Sequence, residues 1–192
     1  MGRLKVGVLI SGRGSNLQAL LDACADPAFP ARIALVISNV AGAQGLERAE
    51  AAGVATCVID HKRFPSREAF DAKMDEALRD AGVELICLAG FMRLLSTGFV
   101  ESWRGKMINI HPSLLPAFKG LRTHAQALAA GVKQHGCTVH WVTPDLDGGP
   151  TILQGTVPVL EDDTEEILAE RVLAVEHRLY PQALRLIAEG KA

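Results

Sequence analysis

"KVGVLISGRGSNLQALLDAC", residues 5–24, decides the fold. Its pattern changes twice within that stretch. "KVGVLI" (5–10) is a near-continuous apolar run of strand type. "SGRGSN" (11–16) is polar and Gly-rich, a turn. "LQALLDAC" (17–24) sets its leucines at helical spacing. A buried strand that passes through a tight turn into a helix opens a β–α unit, and repeated units of that kind build a parallel sheet.

The alternation continues outward. "RIALVIS" (32–38) is a strand, "GLERAEAAG" (45–53) a helix stopped by Gly53, and "TCVI" (56–59) a short strand. "SREAFDAKMDEALRDAG" (66–82) is a helix with Ser66 as N-cap and Phe70, Met74 and Leu78 every four residues; Gly82 suits its left-handed terminus. "VELICLAG" (83–90) is apolar at most positions, as a strand covered on both faces must be. Ser96 or Thr97 caps a short helix reaching Trp103. "KMINI" (106–110), "GCTVHWV" (136–142) and "TILQGTVPVL" (151–160) are strands, and "HAQALAAG" (124–131) is a helix. A last helix opens at Thr164 with Ile167, Leu168, Val172, Val175 and Leu179 as its apolar stripe; Pro181 should interrupt it and leave a short tail helix. The expected architecture is α/β: three layers, a mostly parallel twisted sheet with helices on both faces, Rossmann-like. One domain should take the whole of 1–192.

Composition agrees. Of 192 residues 48% are hydrophobic and only 5% aromatic, so the core is built from Ala, Val, Leu and Ile. A net charge of −2 offers no basic face for nucleic acid. Cys24, Cys57, Cys87 and Cys137 are far apart, with no zinc-ligand spacing, and read as reduced, mostly buried thiols of a cytoplasmic protein. No metal is expected. "MGRLK" is no signal peptide, and no apolar run reaches membrane-spanning length.

Four motifs carry candidate chemistry. In "SGRGSN", Gly12 and Gly14 permit close backbone approach, and Ser15 or Asn16 can cap the helix; free N–H groups would then face one phosphate monoester. It is neither G-x-G-x-x-G nor a Walker A, and an ordinary tight βα turn fits it equally well. In "NIHPSLLPAFKG" (109–120), Asn109 and His111 share one face of a strand end, about 7 Å apart, while Ile110 faces the core. Ligands of open α/β sheets bind beyond such ends. An amide N–H and an imidazolium are the donors an acyl-transfer oxyanion needs, although a capping Asn and a structural His suit the spacing too. In "DLDGG" (145–149), Asp145 and Asp147 lie in a glycine loop; a carboxylate near His111 would favour the charged imidazole, and a solvated turn is the plain alternative. In "AGFMRLLS" (89–96), apolar residues crowd around Arg93 and suit either core or a flat pocket for a heteroaromatic ring. The other histidines carry less weight: His140 faces opposite to Val139 and Trp141, His61 and His135 read as loop residues, and His124 joins a loop over the site.

Taken in order, "LISGRGSNLQAL", "LAGFMRLLS", "NIHPSLLPAFKG", "HGCTVHWVT", "DLDGGPTILQ" and "EHRLYPQAL", spanning positions 9 to 184, resemble the glycinamide ribonucleotide transformylases, folate-dependent formyltransferases of purine synthesis. The resemblance implies transfer of a formyl group from 10-formyltetrahydrofolate, a co-substrate, to the amine of phosphoribosylglycinamide. It implies Asn109, His111 and Asp147 as catalytic, and Gly14, Ser15, Asn16 and Glu176 at the ribonucleotide phosphate and ribose. Arg67, Met92, Arg93, Leu94, Leu95, Asn109 and Asp145 would hold the folate. Residues 1–100 would then be the phosphate-binding half and 101–192 the folate and catalytic half. Some relatives carry lysine where this chain has Ala117, so Lys119 is left out of the site. The expected partners are small molecules, in a monomer or homodimer. A 10-formyltetrahydrofolate hydrolase would use the same three groups with water as nucleophile, but such enzymes carry an added N-terminal domain.

Overall fold

The computed structural model describes residues 2–192. The elements run β1 (Leu4–Ile10), α1 (Ser15–Ala25), β2 (Ala31–Ser38), α2 (Gln44–Ala51), β3 (Thr56–Val58), α3 (Arg67–Asp80) and β4 (Leu85–Leu88). Then follow α4 (Thr97–Ser102), β5 (Met107–His111), α5 (Thr123–Ala130), β6 (Gln134–Trp141), β7 (Thr151–Pro158) and α6 (Glu165–Ala188). They form one seven-stranded sheet in the order β3-β2-β1-β4-β5-β6-β7. β1 to β5 are parallel, while β6 runs antiparallel to β5, and β7 antiparallel to β6.

Side chains alternate between two cores. Val6, Val8, Ile10, Cys87, Ile108 and Val139 pack on the face covered by α1, α2 and α6. Leu9, Ile37, Ile86 and Met107 pack on the face of α3 and α4. The three-layer expectation therefore holds, and burial on both sides explains why these strands lack an alternating polar pattern. In β5 the period of two puts Ile108 and Ile110 in the first core, which leaves Asn109 and His111 on the side of Met107.

Leu9 pairs with Leu88, and Leu88 pairs with Asn109. Three parallel strands thus end in step. Ser11, Gly90 and His111 each lie two residues further on, on one edge of the sheet, with β1 and β5 about 10 Å apart as two strand spacings. The chain winds from β1 out to β3 and then returns to β4 on the other side of β1. That reversal makes the β1/β4 crevice the switch point at which such sheets bind ligands.

The local helix signals agree with the structure at most positions. Ser66, Ser96 and Thr164 accept from the N–H three residues on, as N-caps do. Gly53 and Gly82 have positive φ. Two expectations about the last helix fail. α6 runs unbroken through Pro181 to Ala188. Tyr180, Ala183 and Leu184 are fully buried around the proline, so packing on both sides of it offsets the roughly 3 kcal/mol an interior proline costs. Ile167 is 48% exposed and lies outside the buried stripe, which continues instead through Tyr180.

Candidate active site

β5 ends at the site. Asn109 pairs in register with His140 of β6, and its Nδ2 lies 3.4 Å from His140 Nε2. His140 Nδ1 lies 3.0 Å from the Trp141 carbonyl and must donate to it, so Nε2 is the acceptor for the Asn109 amide. Burial lowers the pKa of His140, which keeps it neutral in that role. His140 faces the side expected from its alternation with Val139 and Trp141, and its contact with Asn109 gives it a place in the site that the sequence pattern alone does not assign.

His111 is buried, and each ring nitrogen has a partner. Nδ1 lies 3.5 Å from Asp147 Oδ1, with both side chains 7% exposed. Nε2 lies 2.9 Å from the Phe118 carbonyl and donates to it. The second Asp147 oxygen accepts from the Gly120 N–H at 2.9 Å. Asp147 itself has φ 52°, a left-handed conformation that Asp tolerates better than most residues. The loop that carries it closes tightly: Gly148 N–H donates to the Asp145 carbonyl, and a Cβ at Gly149 would run into the Trp141 carbonyl oxygen. The expected approach of an Asp to His111 is therefore present, and it is Asp147, not Asp145, that makes it. Asp145 is exposed.

At the other motif the expected cap is wrong. Gly14, not Ser15 or Asn16, is the N-cap of α1; it sits at φ 72° and no side chain caps the helix. A serine hydroxyl at the first helical position is past the reach of a cap. The first N–H groups of α1 are left without a side-chain partner, the condition an anion needs. Gly14 also packs tightly: a Cβ there would meet Gly45 Cα at 2.6 Å, and Gly45 N–H donates to the Gly12 carbonyl. The tight-packing reading of the turn therefore holds, and the uncapped N–H groups leave room for the anion reading beside it.

Glu176 is 7% exposed, not a solvated helix carboxylate, and its Oε1 accepts from Asn16 Nδ2 at 3.2 Å. Asn16 Oδ1 is buried without a partner. Burial raises the Glu176 carboxyl above its ordinary range, opposed by the Asn16 hydrogen bond. A carboxyl raised in the fold contributes most below its unfolded value of about 4.3 and loses that contribution as pH rises through the folded value. Glu176→Gln is therefore expected to melt at a higher temperature than the native chain near neutral pH and at the same temperature at about pH 4. Thermal melts at both pH values check this.

Arg67, Leu94 and Leu95 line a cavity of about 490 Å³ with Ser96, Pro144 and Leu146. Met92 and Arg93, next in the chain, are exposed and do not line it; nor does Asp145. Met92, Leu94 and Leu146 are 66%, 60% and 58% exposed, an unusual display of apolar surface at one edge. His135, expected in a loop, is buried in β6, and His124 lies on α5 with Nδ1 3.1 Å from His135 Nε2. Burial, with repulsion from His124, lowers His135 to about 4. His61 sits in a single 3₁₀ turn. Among the described residues no group of three or more His, Cys, Asp or Glu is placed to hold a metal ion. Nor is any helix there long and apolar enough to cross a membrane.

The formyl transferase family matches residues 4–184, and the chain belongs to that family. It is 47% identical over 188 residues to the phosphoribosylglycinamide formyltransferase of Escherichia coli, covering 98% of this chain and 89% of that protein. It superimposes on glycinamide ribonucleotide transformylase 1 of Symbiobacterium toebii with a TM-score of 0.95 at 55% identity, covering 98% of this chain and 89% of that one. It is also 54% identical to the trifunctional purine biosynthetic protein adenosine-3 of Bos taurus, matching 98% of this chain but spanning only 19% of that relative.

Proposed function

We propose that this chain transfers the formyl group of 10-formyltetrahydrofolate to the amine of 5'-phosphoribosylglycinamide, a step of purine biosynthesis. The observation that carries the reading is the His111–Asp147 pair at 3.5 Å, with Asn109 on the same face of the same strand end. The Escherichia coli relative's name, at 47% identity, supports phosphoribosylglycinamide as the acceptor of the formyl group.

In this reading the substrate amine attacks the formyl carbon directly, and the carbonyl oxygen becomes an oxyanion. Asn109 Nδ2 has a second N–H beyond the one turned to His140, and that N–H would donate to the oxyanion. The Nε2–H of His111, which here bonds the Phe118 carbonyl, would turn to the oxyanion as well. Asp147 would stabilise the imidazolium and, through it, assist by way of water the passage of the proton from the attacking nitrogen to N10 of the folate. Collapse breaks the carbon–N10 bond and releases tetrahydrofolate and the formylated ribonucleotide. No covalent enzyme intermediate is needed.

The phosphate would rest on the N–H groups at Gly14, Ser15 and Asn16, and Glu176 would accept from the ribose. The folate would lie along Met92, Arg93, Leu94 and Leu95, near Asn109 and Asp145, with its tail toward Arg67. A single formyltransferase domain would then supply the phosphate turn from its first half and the reacting groups from its second. Each half lends residues to the other's ligand. A cytoplasmic enzyme working on small molecules, without metal, follows from this reading.

Formation of tetrahydrofolate with and without phosphoribosylglycinamide tests it. Formation that requires the ribonucleotide is expected. Equal formation without it would make the chain a hydrolase, and binding without turnover would make it a folate-binding module.

A further inference from the structure

Two loops leave the switch-point crevice in different directions. The 11–16 turn follows β1, and the 90–95 segment follows β4. Beyond the Ala89 N–H to Leu9 carbonyl bond, no strand ladder joins them. Among the described residues, the backbone from Gly90 to Leu95 makes one hydrogen bond: Met92 N–H to Ser11 Oγ at 2.8 Å. The next fixed point is Ser96, whose N–H donates to Asp71 Oδ2 at 2.6 Å. A segment that exposes Met92 and Leu94 to water is thus held at its middle by one side chain.

That side chain is itself held. The Ser11 hydroxyl donates to Asn39 Oδ1 at 2.6 Å, which aims its lone pairs away from Asn39 and toward Met92. Asn39, at the end of β2, is 4% exposed. Its amide orientation is fixed from the other side, because Nδ2 donates to His61 Nδ1 at 3.2 Å. His61 rests edge-on against buried Phe70, with ring centroids 6.1 Å apart. The chain Met92–Ser11–Asn39–His61 therefore runs from an exposed loop to the buried ring of Phe70 on α3. Each donor in it meets an acceptor.

We propose that Ser11, oriented by Asn39, is a positioning residue for the folate: it fixes the backbone of segment 91–95 across the β1/β4 crevice and joins it to the anion turn. The Ser11 hydroxyl is taken up by Asn39 Oδ1 and the Met92 N–H. It acts through the Met92 amide, and it makes one residue common to the loops that flank the two substrates. The free backbone groups on either side of Met92 are then presented in one arrangement rather than many, which lowers the ordering cost of binding. This inference rests on the functional reading above.

Steady-state kinetics of the full chain test it, varying 10-formyltetrahydrofolate and phosphoribosylglycinamide separately. Ser11→Ala is expected to raise the KM for the folate about tenfold, the worth of one hydrogen bond, while kcat and the ribonucleotide KM stay within about twofold. Asn39→Ala, which leaves the hydroxyl in place but unheld, should give the same selective rise, and Ser11→Thr should restore the native value. Hydrogen exchange supplies a readout that needs no substrate. In the native chain the Met92 amide should exchange more slowly than those of Arg93 and Leu94, and Ser11→Ala should abolish the difference. An unchanged folate KM in both alanine variants overturns the proposal, as does Met92 exchange no slower than its neighbours in the native chain. A native chain that does not turn over the folate at all overturns the functional reading and this inference together; normal native turnover with unchanged variants overturns this inference alone.

Discussion

His111→Ala is expected to lower kcat for formyl transfer by about 10²–10⁴-fold, the range for a positioned acid–base group. The KM values should move little, because the imidazole bonds the enzyme in the ground state and the oxyanion only as it forms. The substitution also removes a buried ring that bonds the Phe118 carbonyl and faces Asp147. Some stability is lost with it, about 1–3 kcal/mol for the groups left without a partner. A melting curve separates the two effects: a variant folded at the assay temperature that still loses kcat has lost chemistry. Rapid-quench turnover with saturating substrates measures the loss directly.

Asn109→Ala is expected to cost about 10²–10³-fold in kcat, as loss of one oxyanion donor does. It is a cleaner experiment than the first. The amide is half-buried and makes one long contact, 3.4 Å to His140, so little of the fold depends on it. Its backbone stays paired with Leu88 and His140 through β5. His140 loses only a weak donor and remains neutral through burial. A kcat loss with an unchanged melting temperature is the expected pair of results, from stopped-flow turnover and calorimetry on the same preparation. A loss confined to the folate KM would make Asn109 a binding group instead.

What could be read in advance was local. The shared face of Asn109 and His111 needs only the period of a strand, and the caps at Ser66 and Thr164 need only the next three residues. The sheet followed from repeated β–α units. What could not be read depends on contacts far apart in the chain. His140 meets Asn109 only through the antiparallel register of β5 and β6, and Glu176 is buried only because α6 packs against α1. Ser11 reaches Met92 across 81 residues because β1 and β4 are neighbours in the sheet. Pro181 and Ile167 depart from expectation for one reason: a helix rule without its tertiary partner cannot say which turns the sheet will bury. The sequence offers both Asp145 and Asp147, the resemblance implies Asp147 as catalytic, and only the folded loop separates the two by contact with His111.

In this mechanism Asp147 acts through His111 on the same carbonyl that Asn109 addresses. The most direct measurement is a double-mutant cycle on kcat with His111→Ala, Asp147→Asn and the pair. If the carboxylate works only by way of the imidazole, the double variant should be no slower than His111→Ala alone. Losses that multiply, with each substitution exacting its full cost in the absence of the other group, would contradict the claim and make Asp147 an independent participant.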